Sequence, residues 1–180
     1  MSKSDLPGIV AEIERSCQWD YPTRLFSLVR TKNLLDTPGL PTDIEQEIRA
    51  NWDGSEEHLS AVEQEINPNG DEEALLAQLQ WPNSVEGAAI SLERLIVPPE
   101  VEAQAPKDPQ EAANFIANHE ARMEMRVVVG VLRDGQSWCA LRMRSFDDDK
   151  SVAKGANLVP ELVELLKVGF MSDEDLQAEN

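Results

Sequence analysis

The chain has 180 residues, in which 34 Asp and Glu outnumber 16 Lys and Arg, so its formal net charge is -18. Binding to nucleic acids or anionic membranes depends largely on Lys and Arg at the phosphates, and this charge excludes general affinity for either. The length suits one domain that buries its own hydrophobic core.

The composition predicts a cytoplasmic protein. No apolar run approaches the roughly 18 residues needed to cross a bilayer, and the first residues contain no apolar signal core. Cys17 and Cys139 are far apart in the sequence, and we expect both to be buried thiols that behave as small hydrophobes.

The first part of the chain combines a helix, a strand and a second helix. Apolar residues at helical spacing predict an amphipathic helix over 4–17, with Glu14 off its apolar stripe. A short run that is apolar on both faces predicts a buried strand over 24–30. Thr42 and Glu45 have the spacing of a capping box, which predicts that a second helix begins there.

The middle of the chain continues the same alternation. In residues 58–66 apolar and polar residues alternate weakly, which predicts a half-exposed strand. Residues 71–80 predict a short helix with acidic residues in its first turn. Residues 86–97 predict a strand that ends at a pair of prolines. Asp108, followed by Pro109, is a strong signal for a helix start.

Residues 125–149 predict a hairpin around Asp134-Gly135 that is apolar on both faces. Asp-Gly favours a two-residue type I′ turn, which would place Val127 opposite Arg142 and Arg126 opposite Met143. In that register Arg142 and Arg144 share one face of the sheet, and Arg126 emerges on the other.

After the hairpin we expect a flexible loop over 147–155 and a helix over 158–168 with Leu158 on its core face. The whole pattern predicts one α+β domain over residues 1–170 and a disordered acidic tail over 171–180. The sheet is expected to be mostly antiparallel or mixed, with about five strands, helices packed around it and the hairpin at its centre.

The strongest candidate ligand site is the pair Arg142 and Arg144. Two guanidinium groups on one face suit bidentate binding of a carboxylate or phosphate. The competing interpretation is that both side chains pair with local acids such as Glu93 or the following aspartates.

Asp147, Asp148 and Asp149 are candidate ligands for a divalent cation, because carboxylate oxygens suit a hard ion such as Mg²⁺. Adjacent residues point in different directions, so such a site would need further ligands, for which Glu93 and Glu63 are candidates. The alternative interpretation is a solvated loop.

The sequence contains no catalytic signature. It has no glycine-rich phosphate loop, no nucleophile elbow and no metal-spaced group of Cys or His. His58 and His119 lie outside any motif. We therefore assign no catalytic residue and no cofactor.

Four segments together resemble an uncharacterised family of small actinobacterial cytoplasmic proteins: RLFSLVRTKNLL, VEGAAISLERLIVPPE, GVLRDGQSWCALRMRSFDDD and LVPELVELL. The similarity runs from the first predicted helix to the last. It implies a compact intracellular domain and names no activity or catalytic residue.

Two functions remain open. The first is a binding or adaptor protein that acts through protein-protein contacts, with a protein partner or a second copy of the chain and with neither nucleic acid nor membrane. The alternative is an enzyme or small-ligand sensor that holds an anionic ligand with Arg142 and Arg144, together with a divalent ion at Asp147 to Asp149.

Overall fold

The computed structural model describes residues 5–66 and 72–171. The elements follow in chain order: α1 (Leu6–Ser16), β1 (Arg24–Arg30), α2 (Thr31–Leu35), α3 (Thr42–Asn51), β2 (Leu59–Gln64), α4 (Glu72–Gln78), β3 (Gly87–Ile96), α5 (Pro99–Glu102), α6 (Pro109–Asn118), β4 (Met123–Leu132), β5 (Ser137–Met143), β6 (Ala153–Gly155) and α7 (Pro160–Val168). Turns of 3-10 helix occupy Arg144–Phe146 and Asp149–Ser151.

The described strands form one sheet in the order β2-β1-β3-β4-β5-β6, and every neighbouring pair is antiparallel. This confirms an α+β fold with the hairpin strand β4 in the interior. The sheet has six strands where we expected about five, because β6 forms inside the predicted loop over 147–155. Its three residues are too few for a sequence pattern, yet they pair with the outer edge of β5.

Helices cover both faces of the sheet. α1 packs one face through Leu6, Ile9, Val10 and Ile13, which contact apolar residues of β1, β3, β4 and β5. α4 and α7 pack the opposite face, where the two helices enclose the side chains of a second cluster. We call these the α1 face and the α7 face.

The hairpin register is shifted by one residue from the prediction. Leu132 donates its N–H to the carbonyl of Gln136, and Gly135 donates to the carbonyl of Leu132. Of the Asp134-Gly135 pair, only Gly135 has a positive φ, of 98°. This is a three-residue loop with a glycine bulge rather than a type I′ turn, and Arg126 therefore pairs with Arg142.

Two helix starts also differ from the prediction. Pro41 caps α3, and Thr42 is its first helical residue; the carboxylate of Glu45 accepts a hydrogen bond from Arg49 instead of returning to the helix start. Leu158 is exposed, because α7 begins only at Pro160. Asp108 caps α6 as expected, through a hydrogen bond from the N–H of Glu111.

Some expectations fall outside the described part of the chain. Except for Met171, the predicted tail over 171–180 lies there, as does Asp71 at the start of the helix predicted over 71–80. Within residues 5–66 and 72–171, no helix is both long enough and apolar enough to span a bilayer.

The loop geometry predicts a graded effect of substitutions at Gly135. Gly135→Ala should lower the free energy of unfolding by about 1–2 kcal/mol, because a Cβ disfavours the left-handed conformation although no heavy atom lies within 4 Å. Gly135→Asn should be milder, since asparagine tolerates that conformation. Urea unfolding measures both; equal stability of the alanine variant and the native protein would contradict the bulge.

Candidate functional site

The corrected register places charged side chains in rows across the α1 face, near the end of the sheet where β4 begins. Residues paired across neighbouring strands share a face, so the rows follow from the pairing. One row consists of Glu93, Arg126 and Arg142. Beside it, Leu95 pairs with Glu124, whose carboxylate accepts a hydrogen bond from Arg144 at 3.0 Å.

α1 places one carboxylate over the first row. Glu14 is 2% exposed, and both of its oxygens accept hydrogen bonds from Arg142, through Nε and Nη2. Arg126 donates from Nη2 to the Glu14 carboxylate at 3.3 Å and to its backbone carbonyl at 3.2 Å. Two buried guanidinium groups, on Arg126 and Arg142, therefore share the carboxylate of Glu14.

The hydrogen bonding of Arg126 is incomplete. Its Nε is buried and has no hydrogen-bond partner among the described residues. A buried donor left in this state costs about 1–3 kcal/mol, and more when the group is charged.

Sequence reasoning missed Glu14, because we placed it off the apolar stripe of α1. The spacing carried a signal, since Leu6, Val10 and Glu14 are each four residues apart and lie on one helix face. A carboxylate in line with two buried aliphatic residues indicates a buried ion pair across the interface.

Two of the three consecutive aspartates complete the coordination of Arg142. The Asp147 carboxylate accepts from Nη1 at 3.0 Å, and the Asp149 carboxylate accepts from Nη2 at 2.6 Å. The hydrogen bond from Arg142 lowers the pKa of Asp149. A hydrogen bond from the Trp19 indole, followed by the interaction with Arg142, lowers the pKa of Asp147.

The Trp19 ring makes cation-π contacts with two guanidinium groups. Its ring centroid is 4.8 Å from the Arg126 carbon Cζ and 5.4 Å from that of Arg144, which are distances of cation-π contact. The next residue, Asp20, has a φ of 65° and accepts two hydrogen bonds from Arg144, at 2.8 and 2.9 Å. These bonds lower the pKa of Asp20.

The structure brings together only part of the predicted ligand site. Arg142 and Arg144 bind different carboxylates, and Arg126, which we expected on the opposite face, lies directly beside Arg142. Local acids do pair with both arginines, but these acids are residues other than Glu93. The carboxylate of Glu93 accepts a hydrogen bond from the backbone N–H of Asp20. Anion binding by Arg142 and Arg144 stays a prediction.

The predicted metal ligands point in different directions. The carboxylate of Asp148 accepts hydrogen bonds from the N–H of Lys150 and the hydroxyl of Ser151, and so caps a 3-10 turn. Asp147 and Asp149 form ion pairs with Arg142 instead. Glu63, a suggested further ligand, pairs with Arg24. In the described ranges, no group of three His, Cys, Asp or Glu side chains is arranged to hold a metal ion.

A cavity of about 410 Å³ opens beside these groups. Its lining includes Arg15, Trp19, Asp149 and the buried residues Arg126 and Arg142. Its volume is within the range of small-molecule sites.

Comparison with known proteins places the chain in a family. The model of a family described as PPA1309-like protein matches residues 6–171, and the chain belongs to that family. No curated protein and no solved structure matches it. The match confirms the resemblance to an uncharacterised family, whereas an actinobacterial origin stays a prediction.

The shared carboxylate predicts a strong effect of Glu14→Gln. The variant keeps the shape of the side chain but leaves buried Arg126 without its counter-charge and Arg142 with only the exposed carboxylates of Asp147 and Asp149, so the free energy of unfolding should fall by about 3–5 kcal/mol in urea at neutral pH. The matched control is Glu12→Gln on the exposed side of α1, which should change stability by less than about 0.5 kcal/mol. Similar losses in the two variants would contradict a special role of Glu14.

The lowered pKa of Asp149 predicts a pH-dependent stability. The ionised carboxylate is favoured in the folded protein, so its contribution is complete above the unfolded pKa of about 3.9 and is lost as the pH falls through the lower folded pKa. The stability difference between the native protein and Asp149→Asn should therefore be constant near neutral pH and shrink in acid. Urea midpoints across this range measure it.

Ser151→Ala is the control for that measurement, because it changes the same turn without removing a titrating group. Its stability difference from the native protein should vary little with pH. An Asp149→Asn difference that stays constant into acid would show that the ion pair with Arg142 contributes nothing.

Proposed function

We propose that this member of the PPA1309-like family is a cytoplasmic binding or adaptor protein that acts through protein-protein contacts. Two observations suit a reducing compartment and a folded intracellular domain: Cys17 and Cys139 are both free thiols, and both are buried. A function that depends on contact with a partner requires an exposed surface with apolar anchors, and the described residues offer one.

The observation that carries the proposal is a set of exposed apolar side chains around the ion pairs of Arg144. Leu95 pairs across the strands with Glu124, and Phe146 lies two residues after Arg144. Phe146 is 66% exposed, and Leu95 is also exposed. We call this surface, made of Leu95, Phe146 and the carboxylates of Asp20 and Glu124, the Arg144 patch.

Apolar anchors surrounded by polar groups are typical of protein interfaces. Burying a large exposed aromatic ring such as Phe146 in a partner's pocket lowers the free energy, because burial removes its apolar surface from solvent. The ion pairs of Arg144 hold Asp20 and Glu124 together at the end of the sheet, so the anchors beside them are presented on an ordered support.

The charge of the chain identifies the chemistry of the partner. The exposed carboxylates of Asp20 and Glu124 lie in the patch, and the whole chain has a net charge of -18. A second copy of the chain would bring like charge against like charge, which opposes a homodimer through this surface. A basic segment with apolar side chains complements both the carboxylates and the anchors.

The alternative function has less support from the geometry. An anion held by Arg142 and Arg144 would compete with the carboxylates that these side chains already bind: Glu14, Asp147 and Asp149 on Arg142, and Asp20 and Glu124 on Arg144. Displacing an internal carboxylate adds a penalty to ligand binding.

The proposal predicts the loss of a partner in the double variant Leu95→Ser/Phe146→Ser. The native protein, immobilised at low salt, should retain a basic protein from a lysate of the source organism, and the double variant should retain at least about tenfold less, because about 1.4 kcal/mol of anchor burial suffices for that change. Quantitative mass spectrometry of the bound fraction measures the ratio. Higher salt should release the partner by screening its charge.

Ile44→Ser is the matched control, since Ile44 is an exposed apolar residue on α3, away from the Arg144 patch. It should retain the partner at the native level. Retention by the double variant, or the same loss in the control, would contradict docking at this patch.

A further inference from the structure

The strand β2 forms one edge of the sheet. Within residues 5–66 and 72–171, β1 is the only strand that pairs with β2, and it does so along one side. The other side of such a strand presents unpaired N–H and C=O groups, which can bond a further strand. β2 therefore has backbone groups available to another chain.

The hydrogen bonding of β1 identifies the residues of β2 whose backbone groups face outward. Thr31 donates its N–H to the carbonyl of His58, in the pair that continues the register between the two strands. Hydrogen-bonded pairs alternate along an antiparallel ladder, so Ala61 and Glu63 direct their N–H and C=O groups away from β1. Leu59 also faces outward but is 5% exposed, and the open part of the edge therefore begins at Ala61.

The side chains along the open edge differ between the two faces of the sheet. Glu63 lies on the α1 face, because it pairs with Phe26, and Glu65 follows two residues later. Val62 lies on the α7 face and is exposed. Since successive residues of a strand alternate between faces, a strand added here meets carboxylates on one face and an apolar side chain on the other.

The carboxylates at this end of β2 are only partly neutralised. Arg24 of β1 forms an ion pair with Glu63, whose side chain remains 45% exposed. Glu65 is exposed, and the carboxylate of Glu72 accepts a hydrogen bond from Thr23, the residue before Arg24. With three carboxylates beside one guanidinium group, this end of the edge favours a positively charged side chain.

We propose that the β2 edge binds an extended partner segment in which basic and apolar residues alternate, added as an antiparallel strand. The backbone of the segment bonds the outward groups of Ala61 and Glu63. Its Lys or Arg side chains lie on the α1 face beside Glu63 and Glu65, and its apolar side chains lie beside Val62. The backbone bonds supply affinity, and the alternation of charged and apolar side chains supplies specificity.

Other pairings are less favourable. Two copies of the chain that pair antiparallel over residues 61–65 place their Glu63 side chains directly opposite each other, and like charges in that position are destabilising. The other edge of the sheet belongs to β6, which has three residues and carries Lys154, so it repels a basic segment. The proposal adds a surface that shares no residue with the Arg144 patch.

Amide hydrogen exchange of the free protein tests whether the edge is open. The N–H groups of Ala61 and Glu63 should exchange at least about tenfold faster than those of Ser60 and Val62, because only the latter bond β1. Equal protection of all four amides would show that the edge is already covered and would overturn the proposal.

The binding probe is a capped peptide of about seven residues that alternates Lys and Val. By NMR titration, the full chain should bind it at least about tenfold more tightly than a peptide that alternates Glu and Val, or one with the Lys and Val residues in separate blocks. N-methylation of the lysine amides should abolish binding and N-methylation of the valine amides should not, because the residues opposite Ala61 and Glu63 donate the hydrogen bonds. The absence of saturable binding, or any other methylation pattern, overturns the proposal.

Charge reversal at the edge provides the matched variants. Glu65→Lys should weaken binding of the Lys-Val peptide by about tenfold and strengthen binding of the Glu-Val peptide. Glu161→Lys makes the same change in net charge at the start of α7, which follows β6 at the far edge, and should bind as the native protein does. Equal losses in these two variants would overturn the proposal. Leu95→Ser/Phe146→Ser should retain the peptide, so failure here is distinguishable from failure at the Arg144 patch.

Discussion

The carboxylate of Glu14 is the counter-charge on which the arrangement of one sheet face depends. It lies between Arg126 and Arg142, which extend from paired positions on β4 and β5, and all three side chains are buried. Ions that have left water need partners in a fixed geometry, because the lost hydration is recovered only at short distances. The interaction therefore fixes three things together: the rotation of α1, its position along the sheet, and the register of the hairpin.

The neighbouring loops are organised around the same arginines. The segment after α1 places Trp19 against the guanidinium groups of Arg126 and Arg144 and Asp20 on Arg144, while the segment after β5 returns two aspartates to Arg142. Irregular backbone is thus held by charged hydrogen bonds where it lacks apolar contacts. The same organisation leaves exposed apolar side chains near Arg144, at the end of the sheet that carries the proposed docking surface.

Much of the fold was predictable, because its signals are local. The strand over 24–30 coincides with β1, and Asp108 caps its helix as its sequence indicates. The hairpin register was wrong because Asp-Gly occurs in both two-residue and three-residue loops, and only contacts with the rest of the sheet decide between them. That one-residue error separated Arg126 from Arg142, and with Glu14 misplaced on its helix the charged cluster could not be assembled from sequence. β6 was missed because its pairing with β5 is long-range information.

The bulged loop at Gly135 also limits how this sequence can evolve. If β5 slipped by one residue against β4, every side chain of β5 would turn to the other face, so Arg142 would enter the apolar layer beneath α7 and an apolar neighbour, Leu141 or Met143, would take its place opposite Glu14. Substitutions in the loop are mild by comparison, since its residues are mostly in solvent. In this hairpin, selection should therefore act on whatever keeps β4 and β5 in this pairing more strongly than on the identity of the loop residues.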